Sequence, residues 1–316
     1  MSPILTLTLN PAIDQTVVLD SLVPGSVHRA RAVRSHAGGK GVNVACCLAD
    51  WGLPVAAIGV LGSDNAAPFT QLMAEKGIAD RFVRIPGETR TNLKLLDRRS
   101  GDTTDINLPG LAVPPDTLDA ARAVLLDMAG SGSLAVLAGS LPGTLPPETY
   151  RDVAARLRGR GARVVLDASG GPLAAALATP ADALPYAVKP NRHELEEWAG
   201  RALLTLGDVL AAARGLRDRG IAVVAVSLGP EGALFLSEGG AVHARPPATR
   251  ITSTVGAGDA LVAGLVAGLH EGLSLADTAR RALAFAAAKL SREGASLPPR
   301  PEVEAIAATV RVEALG

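Results

Sequence analysis

Two glycine-rich stretches, far apart in the chain, carry residue types suited to handling a phosphate. In Ser253-Thr254-Val255-Gly256-Ala257-Gly258-Asp259-Ala260, glycines precede an acid and then a small-residue run ending at Leu269. A glycine-rich turn that opens a helix leaves backbone N–H groups free and pointing outward, and the helix dipole adds positive potential there. Asp259 then falls in the first turn, beside any bound anion, where a carboxylate can take the proton of an attacking hydroxyl. Taken alone, an ordinary tight turn with a dipole-stabilising surface acid explains the stretch as well. The second stretch is Ser35-His36-Ala37-Gly38-Gly39-Lys40-Gly41-Val42-Asn43-Val44-Ala45. Its glycines allow close backbone approach to a ligand, and a lysine stands where a helix begins. It is not a Walker A motif, because glycine follows the lysine and the spacing differs.

Elements that would position these residues follow from the apolar pattern. Ile4 to Leu9 reads as a strand ending at Asn10-Pro11-Ala12-Ile13-Asp14, which sets an acid just past a strand end, where open α/β sheets bind ligands. Val42 to Asp50 reads as a helix, Val55 to Leu61 as a buried strand, and Asn65 to Lys76 as a helix capped by Asp64. Phe82 to Ile85 is another strand. From Pro115 the alternation is regular: helix to Met128, strand 134–138, helix 147–158, strand 163–166 ending at Asp167, strand 186–188 ending at Lys189. Helices then reach Gly220, strand 222–226 ends in Ser227-Leu228-Gly229-Pro230-Glu231-Gly232, and 233–236 and 241–244 add antiparallel strands. Helices open near Val255 and span 275–290. Such alternation predicts an α/β fold, doubly wound, with a mainly parallel sheet covered by helices on both faces and polar strand ends along one edge. Two segments break the pattern. Thr16 to Leu19 with His28 to Val33, and Thr91 to Asp97 with Thr103 to Leu108, are short half-polar strands that predict a small β lid or a dimer surface. Arg90 stands at the entry to the second pair, placed to reach back into the cleft.

Composition narrows the classes. The chain has 316 residues, with Lys plus Arg equal to Asp plus Glu at 31 each, which argues against a dedicated nucleic-acid binder. Cys46 and Cys47 are adjacent within a helix and read as packing residues, so a reducing, cytoplasmic setting is expected. The N-terminus reads as a strand with no basic leader, and the longest apolar run, Ala260 to Leu269, is too short to span a bilayer.

The ordered set of motifs resembles the ribokinase-like (pfkB-type) carbohydrate kinases nearly end to end. It comprises Thr8 to Asp14, Gly38 to Asn43, Thr104 to Asn107, Gly139 to Pro142, Lys189 to Leu195, Ser227 to Ala233 and Thr254 to Asp259. Within the family the motifs are most similar to bacterial members that phosphorylate fructose 1-phosphate, with tagatose 6-phosphate or fructose 6-phosphate as the alternative acceptor. A sugar-phosphate sensor that keeps the fold without catalysis is a more remote reading. A Rossmann dehydrogenase is disfavoured, since no Gly-x-Gly-x-x-Gly follows the first strand. The resemblance implies one kinase domain over 1–316, with lid segments at about 12–36 and 88–108. A hairpin with one apolar face is marginal alone in water and its edges invite pairing, which predicts a homodimer built through the lids.

The resemblance also implies roles. Asp259 would be the base, and the N–H groups of Gly256, Ala257 and Gly258 would hold the transferring phosphoryl group. An unperturbed aspartate, pKa about 3.9, is a weak base, which puts most of the expected catalysis into positioning. Asp14, Gly39, Asn43, Asn107 and Ser140 would contact the sugar, and Lys40 and Arg90 its phosphate. Lys189, Asn191, Ser227, Gly229, Gly232 and Gly258 would meet ATP. Asn191 and Glu194 would organise Mg²⁺ through water, or serve as a helix capping box, or both. K⁺ would sit on carbonyls near Ser253 and Val255, although Ser253 stands where many relatives carry an acid.

Overall fold

The computed structural model describes residues 3–246, 256–291 and 296–316. Its apolar runs become strands buried on both faces, as expected where helices cover a parallel sheet. In chain order the strands are β1 (Ile4–Thr8), β2 (Ala12–Leu19), β3 (Ala32–Gly38), β4 (Val55–Gly62), β5 (Ala79–Ile85), β6 (Thr91–Asp97) and β7 (Thr103–Asn107). There follow β8 (Leu134–Ala138), β9 (Arg163–Asp167), β10 (Ala187–Val188), β11 (Val223–Ser227), β12 (Ala233–Ser237), β13 (Gly240–Arg245) and β14 (Arg311–Leu315). The helices are α1 (Lys40–Asp50), α2 (Ala67–Lys76), α3 (Pro115–Met128), α4 (Thr149–Gly159) and α5 (Gly170–Leu177). They continue with α6 (Arg192–Ala199), α7 (Leu206–Asp218), α8 (Ala257–His270), α9 (Leu275–Leu290) and α10 (Arg300–Thr309).

One sheet has the order β14-β13-β12-β11-β10-β9-β8-β1-β4-β5. Its members from β11 to β5 pair in parallel, and β12, β13 and β14 add antiparallel strands at one end. One face packs on α1, α8 and α9, and the other on α3, α4 and α7; the two cores are aliphatic. The C-terminal ends of β1, β8, β9, β10 and β11 therefore share one edge. Among the described residues no helix is long and apolar enough to cross a membrane.

The second sheet, β3-β2-β6-β7, is built from the two segments whose half-polar pattern sets them apart. Both strands of its first pair run longer than the expected 16–19 and 28–33, with β2 starting earlier and β3 lying later. The pairing of Ala12 with Gly38 carries the ladder into the glycine loop itself. The α2 start also differs: Ala66, not Asp64, holds the cap position, without a side-chain hydrogen bond. Asn65 is held outside the helix by reciprocal bonds with the Thr89 backbone, both 2.8 Å. Helix α10 and strand β14, beyond the last predicted helix, complete the antiparallel end of the large sheet.

Candidate active site

Gly256 caps α8 with φ 78°, a left-handed turn that costs glycine little, and no side chain caps the helix. The first-turn N–H groups of α8 consequently remain available to an anion. Asp259 sits in that turn, 7% exposed. Its Oδ2 accepts a 2.7 Å hydrogen bond from Nδ2 of Asn43 on α1. Burial, reinforced by the nearby Asp167 charge, pushes the Asp259 carboxyl up to about 6, against the pull of Asn43, Lys40 and Lys189. The carboxylate is thus more basic than that of an ordinary aspartate and still ionised at neutral pH.

Beside it lies a charge cluster formed at the ends of adjacent strands. Asp167, the last residue of β9, is 1% exposed and its Oδ1 stands 3.3 Å from both Lys40 Nζ and Lys189 Nζ. Lys40 opens α1 and Lys189 follows β10, so one carboxylate ties a lysine of the glycine-rich stretch to a lysine of the strand-end stretch. Burial works against the Lys40 ammonium, but Asp167, Asp259 and Glu194 more than offset it and raise its pKa. Oδ2 of Asp167 is buried without a hydrogen-bond partner. The side chain of Lys40 is reached through close packing of α1 on β1: a Cβ at Gly41 would stand 2.3 Å from Thr8 Oγ1.

The residues expected to meet the sugar form a second group. His36, Asp14, Asn92 and Asn107 lie in register across β3, β2, β6 and β7, so they make one polar row. Asn92 Nδ2 donates to Asp14 Oδ1 at 3.2 Å, and a Cβ at Gly38 would stand 2.8 Å from Asp14 Oδ2. This places the row against the glycine loop that leads, through Gly39 as the α1 cap, into Lys40. Arg90 reaches the carbonyls of Asn10 and Leu108 at 3.4 Å each, while its Nε is buried without a hydrogen-bond partner. Ser140 Oγ accepts from Asn10 Nδ2 at 3.0 Å.

The third group adjoins Lys189. Asn191 and Ser227 are bridged as neighbouring strand ends, and Gly229–Glu231 forms a short turn leading to Gly232. His243, buried on β13, supports this turn through its Nε2, 2.8 Å from the Glu231 carbonyl oxygen. Asn191 and Glu194 form a complete capping box for α6. Glu194 is also felt electrostatically by Lys40, so its charge faces the cluster. Ser253 and Val255 lie outside the described residues. His193 is exposed beside Glu196 and Glu197, away from these groups.

Three contributors escaped the sequence reading. Asp167 carried a signal, an acid at the C-terminal end of a parallel strand, where ligands gather. Asn92 and Asn10 carried none beyond being polar. Asn43, expected to face the sugar, contacts Asp259 directly.

A buried carboxylate at a helix N-terminus, next to a lysine-bridged carboxylate at the sheet's carboxyl edge, fits a phosphoryl-transfer site of the carbohydrate kinase type. The profile of the pfkB family carbohydrate kinases matches residues 7–302, and the chain belongs to that family. Membership implies ATP as donor, with Mg²⁺. The chain is 50% identical to a 1-phosphofructokinase of Xanthomonas campestris, over 97% of each protein. It is 41% identical to a 1-phosphofructokinase of Escherichia coli, covering 98% of this chain and 97% of that one. Phosphofructokinase-2 of Escherichia coli in complex with fructose-6-phosphate superposes with a TM-score of 0.89 at 30% identity, over 98% of this chain and 99% of that one. The same enzyme in complex with potassium gives 0.90 at 31% identity, with the same coverage.

Proposed function

We propose that this kinase transfers the γ-phosphoryl group of ATP to the free primary hydroxyl of fructose 1-phosphate, giving fructose 1,6-bisphosphate and ADP. The observation that carries the chemistry is Asp259, buried in the first turn of α8 among unpaired N–H groups and held by Asn43. The choice of acceptor follows the named relatives at 41–50% identity.

In the reaction, the sugar hydroxyl gives its proton to Asp259 as its oxygen forms a bond to γ-phosphorus. The bond from γ-phosphorus to the bridging oxygen breaks, and that electron pair leaves on ADP. With a pKa near 6, the carboxylate is both ionised at neutral pH and a better proton acceptor than an exposed aspartate. N–H groups of Gly256, Ala257 and Gly258 would stabilise charge on the moving phosphoryl group. Lys40 and Lys189, fixed by Asp167, flank its path. The Arg90 guanidinium would hold the phosphate already on the sugar, and Asp14, Asn92 and Asn107 would hold its hydroxyls. Lys189, Asn191, Ser227, Gly229 and Gly232 would border the nucleotide. Asn191 and Glu194 would hold Mg²⁺ through water, where it neutralises donor phosphate charge; the capping box leaves Glu194 Oε1 for that role.

Exposed large hydrophobics among the described residues are Val23, Val27, Val33, Ile106, Leu108 and Leu204, and all but Leu204 belong to the small sheet and its connections. An apolar surface confined to that sheet supports a homodimer formed through the lids, and with them one kinase unit over 1–316.

The second reading, fructose 6-phosphate as acceptor, is favoured by the likeness to phosphofructokinase-2. An ADP-release panel over fructose 1-phosphate, fructose 6-phosphate and tagatose 6-phosphate decides. The highest kcat/KM is expected with fructose 1-phosphate; preference for another sugar overturns the acceptor, and no ADP release with any overturns the kinase reading.

A further inference from the structure

Thr89 belongs to no strand, yet it is 1% exposed. It lies between β5 and β6, where the chain leaves the large sheet for the small one. A buried peptide outside a ladder must find its donor and acceptor elsewhere. The side-chain amide of Asn65 supplies both: Nδ2 donates to the Thr89 carbonyl and Oδ1 accepts from the Thr89 N–H, each at 2.8 Å. Thr89 in turn is tied to the end of β4, its Oγ1 accepting from the Gly62 N–H at 2.9 Å. There the chains meet backbone to backbone. A Cβ at Gly62 would stand 2.3 Å from the Gly87 carbonyl oxygen and 2.4 Å from the Thr89 nitrogen. Asn65 thus acts as a strand one residue long, clamping the segment that leads into the small sheet.

This use of Asn65 goes against local preference. Asparagine ahead of a helix is suited to cap it, but α2 is capped by Ala66, a poor residue there, with no side-chain hydrogen bond. A local rule broken in this way points to a demand from elsewhere in the fold. The demand is met at the next residue. Arg90 follows Thr89 directly, and its carbonyl oxygen accepts from the Ile13 N–H at 2.8 Å, so its backbone is pinned on both sides. The guanidinium's own bonds, to the Asn10 and Leu108 carbonyls, are long at 3.4 Å each. A side chain tied so loosely takes its direction from the backbone that carries it. We propose that Asn65 is the positioning residue for Arg90, and through it sets the affinity for the phosphate that the sugar brings. This role rests on Arg90 meeting that phosphate, as proposed above. Asparagine suits the clamp because its amide offers one face that donates and one that accepts. Aspartate would turn a charge toward the Thr89 carbonyl, and alanine would leave both Thr89 groups unpaired.

The test is a double-mutant cycle over Asn65→Ala and Arg90→Ala. It is read as KM for ATP, kcat, and KM for fructose 1-phosphate or whichever sugar phosphate the ADP-release panel prefers. Misplacing a side chain costs no more than removing it. Asn65→Ala is therefore expected to raise the sugar-phosphate KM about three- to tenfold, with KM for ATP and kcat within about twofold of wild type. In the Arg90→Ala background the same substitution should add less than about twofold, because the group it acts through is gone. Calorimetric affinity for fructose 1-phosphate, measured without ATP, should repeat the pattern whether or not phosphoryl transfer follows. If the alanine variant fails to fold, Asn65→Asp takes its place; it keeps the shape and the bond from the Thr89 N–H, loses the donor, and should raise the same KM. A clamp that served the fold alone would lower the melting temperature and leave both KM values unchanged. That result overturns the proposal, as does an additive cycle or an equal rise in the two KM values, and each leaves the proposed function standing. If Arg90→Ala itself leaves the sugar-phosphate KM unchanged, the role given to Arg90 falls, and that of Asn65 falls with it.

Discussion

Replacing Asp259 with asparagine should make the protein more stable while removing its activity. The carboxyl is buried, and its pKa is pushed from 3.8 up to about 6 after the favourable influences of Asn43, Lys40 and Lys189 are included. A rise of about two units means that the ionised form costs the folded state about 3 kcal/mol at neutral pH. Asparagine keeps the shape and can still accept the hydrogen bond from Asn43 through its amide oxygen, without the buried charge. The sign follows from linkage. Below 3.8 both folded and unfolded carboxyls are protonated and nothing is lost. As pH rises toward 6 the unfolded carboxyl ionises before the folded one, so wild-type stability falls, and above 6 the loss is constant. The gain in Asp259→Asn should therefore be full above about pH 6 and mostly gone by about pH 4. Urea unfolding at about pH 7.5 and about pH 4.5 should show gains of about 3 and about 1 kcal/mol, the first equivalent to about 4 °C in Tm. Turnover should fall about 10²–10⁴-fold. A variant equal to or less stable than wild type at neutral pH would refute the claim that burial strains this carboxylate. Turnover within a few-fold of wild type would remove Asp259 from the mechanism.

Because the base must be ionised, kcat/KM should fall on the acid side with a midpoint near pH 6 in a pH–rate profile, about tenfold per unit below it. Asp167→Asn should move that midpoint downward, since Asp167 raises the Asp259 pKa, and should also lower kcat by freeing both lysines; an unmoved midpoint would show that the two carboxylates are not coupled. Arg90→Ala should raise KM for the sugar phosphate at least about tenfold with little change in KM for ATP, the signature of a lost charge-assisted contact to one substrate. Val33→Glu, which puts a charge on the exposed face of the small sheet, should shift light scattering toward monomer; an unchanged mass would place the dimer interface elsewhere.

The legibility of this fold follows from how strongly each segment depends on its neighbours. The strands β1, β4, β8, β9 and β11 are short apolar runs between glycines and polar residues, and only a sheet covered on both faces accepts such runs. The small sheet was legible from its departure from that pattern, but its boundaries were not. The β2–β3 ladder extends to Gly38 because of pairing between segments, and no local propensity encodes it. Strand β14 alternates charged and apolar residues and is a strand by virtue of pairing with β13. At the site, motif residues announce themselves when glycine or spacing makes them unusual, as for Lys40 and Asp259. Asp167 belongs to no such pattern. Its importance arises from the adjacency of β8, β9 and β10, which brings the ends of distant segments together.

That adjacency also explains how a chain of zero net charge can serve two anionic substrates. Lys40 and Lys189 are balanced by Asp167 and Asp259, so the four charged groups at the centre sum to zero before anything binds. Two buried lysines alone would drive their own pKa values down, and two buried carboxylates alone would drive one another up. Interleaved, the charges offset one another: Asp167 and Asp259 raise the Lys40 pKa against its burial, while Asp259 keeps the rise that its own burial and the Asp167 charge impose. The centre therefore offers fixed dipoles and directed N–H groups but little net positive charge. On the proposed reading, neutralisation of the incoming phosphates would come from the periphery, from Arg90 and from the Mg²⁺ that accompanies the nucleotide. The arrangement favours a loose transition state, in which charge spreads over the phosphoryl oxygens rather than accumulating on one. A site whose centre carried strong positive charge would instead bind ground-state ATP and the transition state alike, and that uniform binding would lower KM without raising kcat.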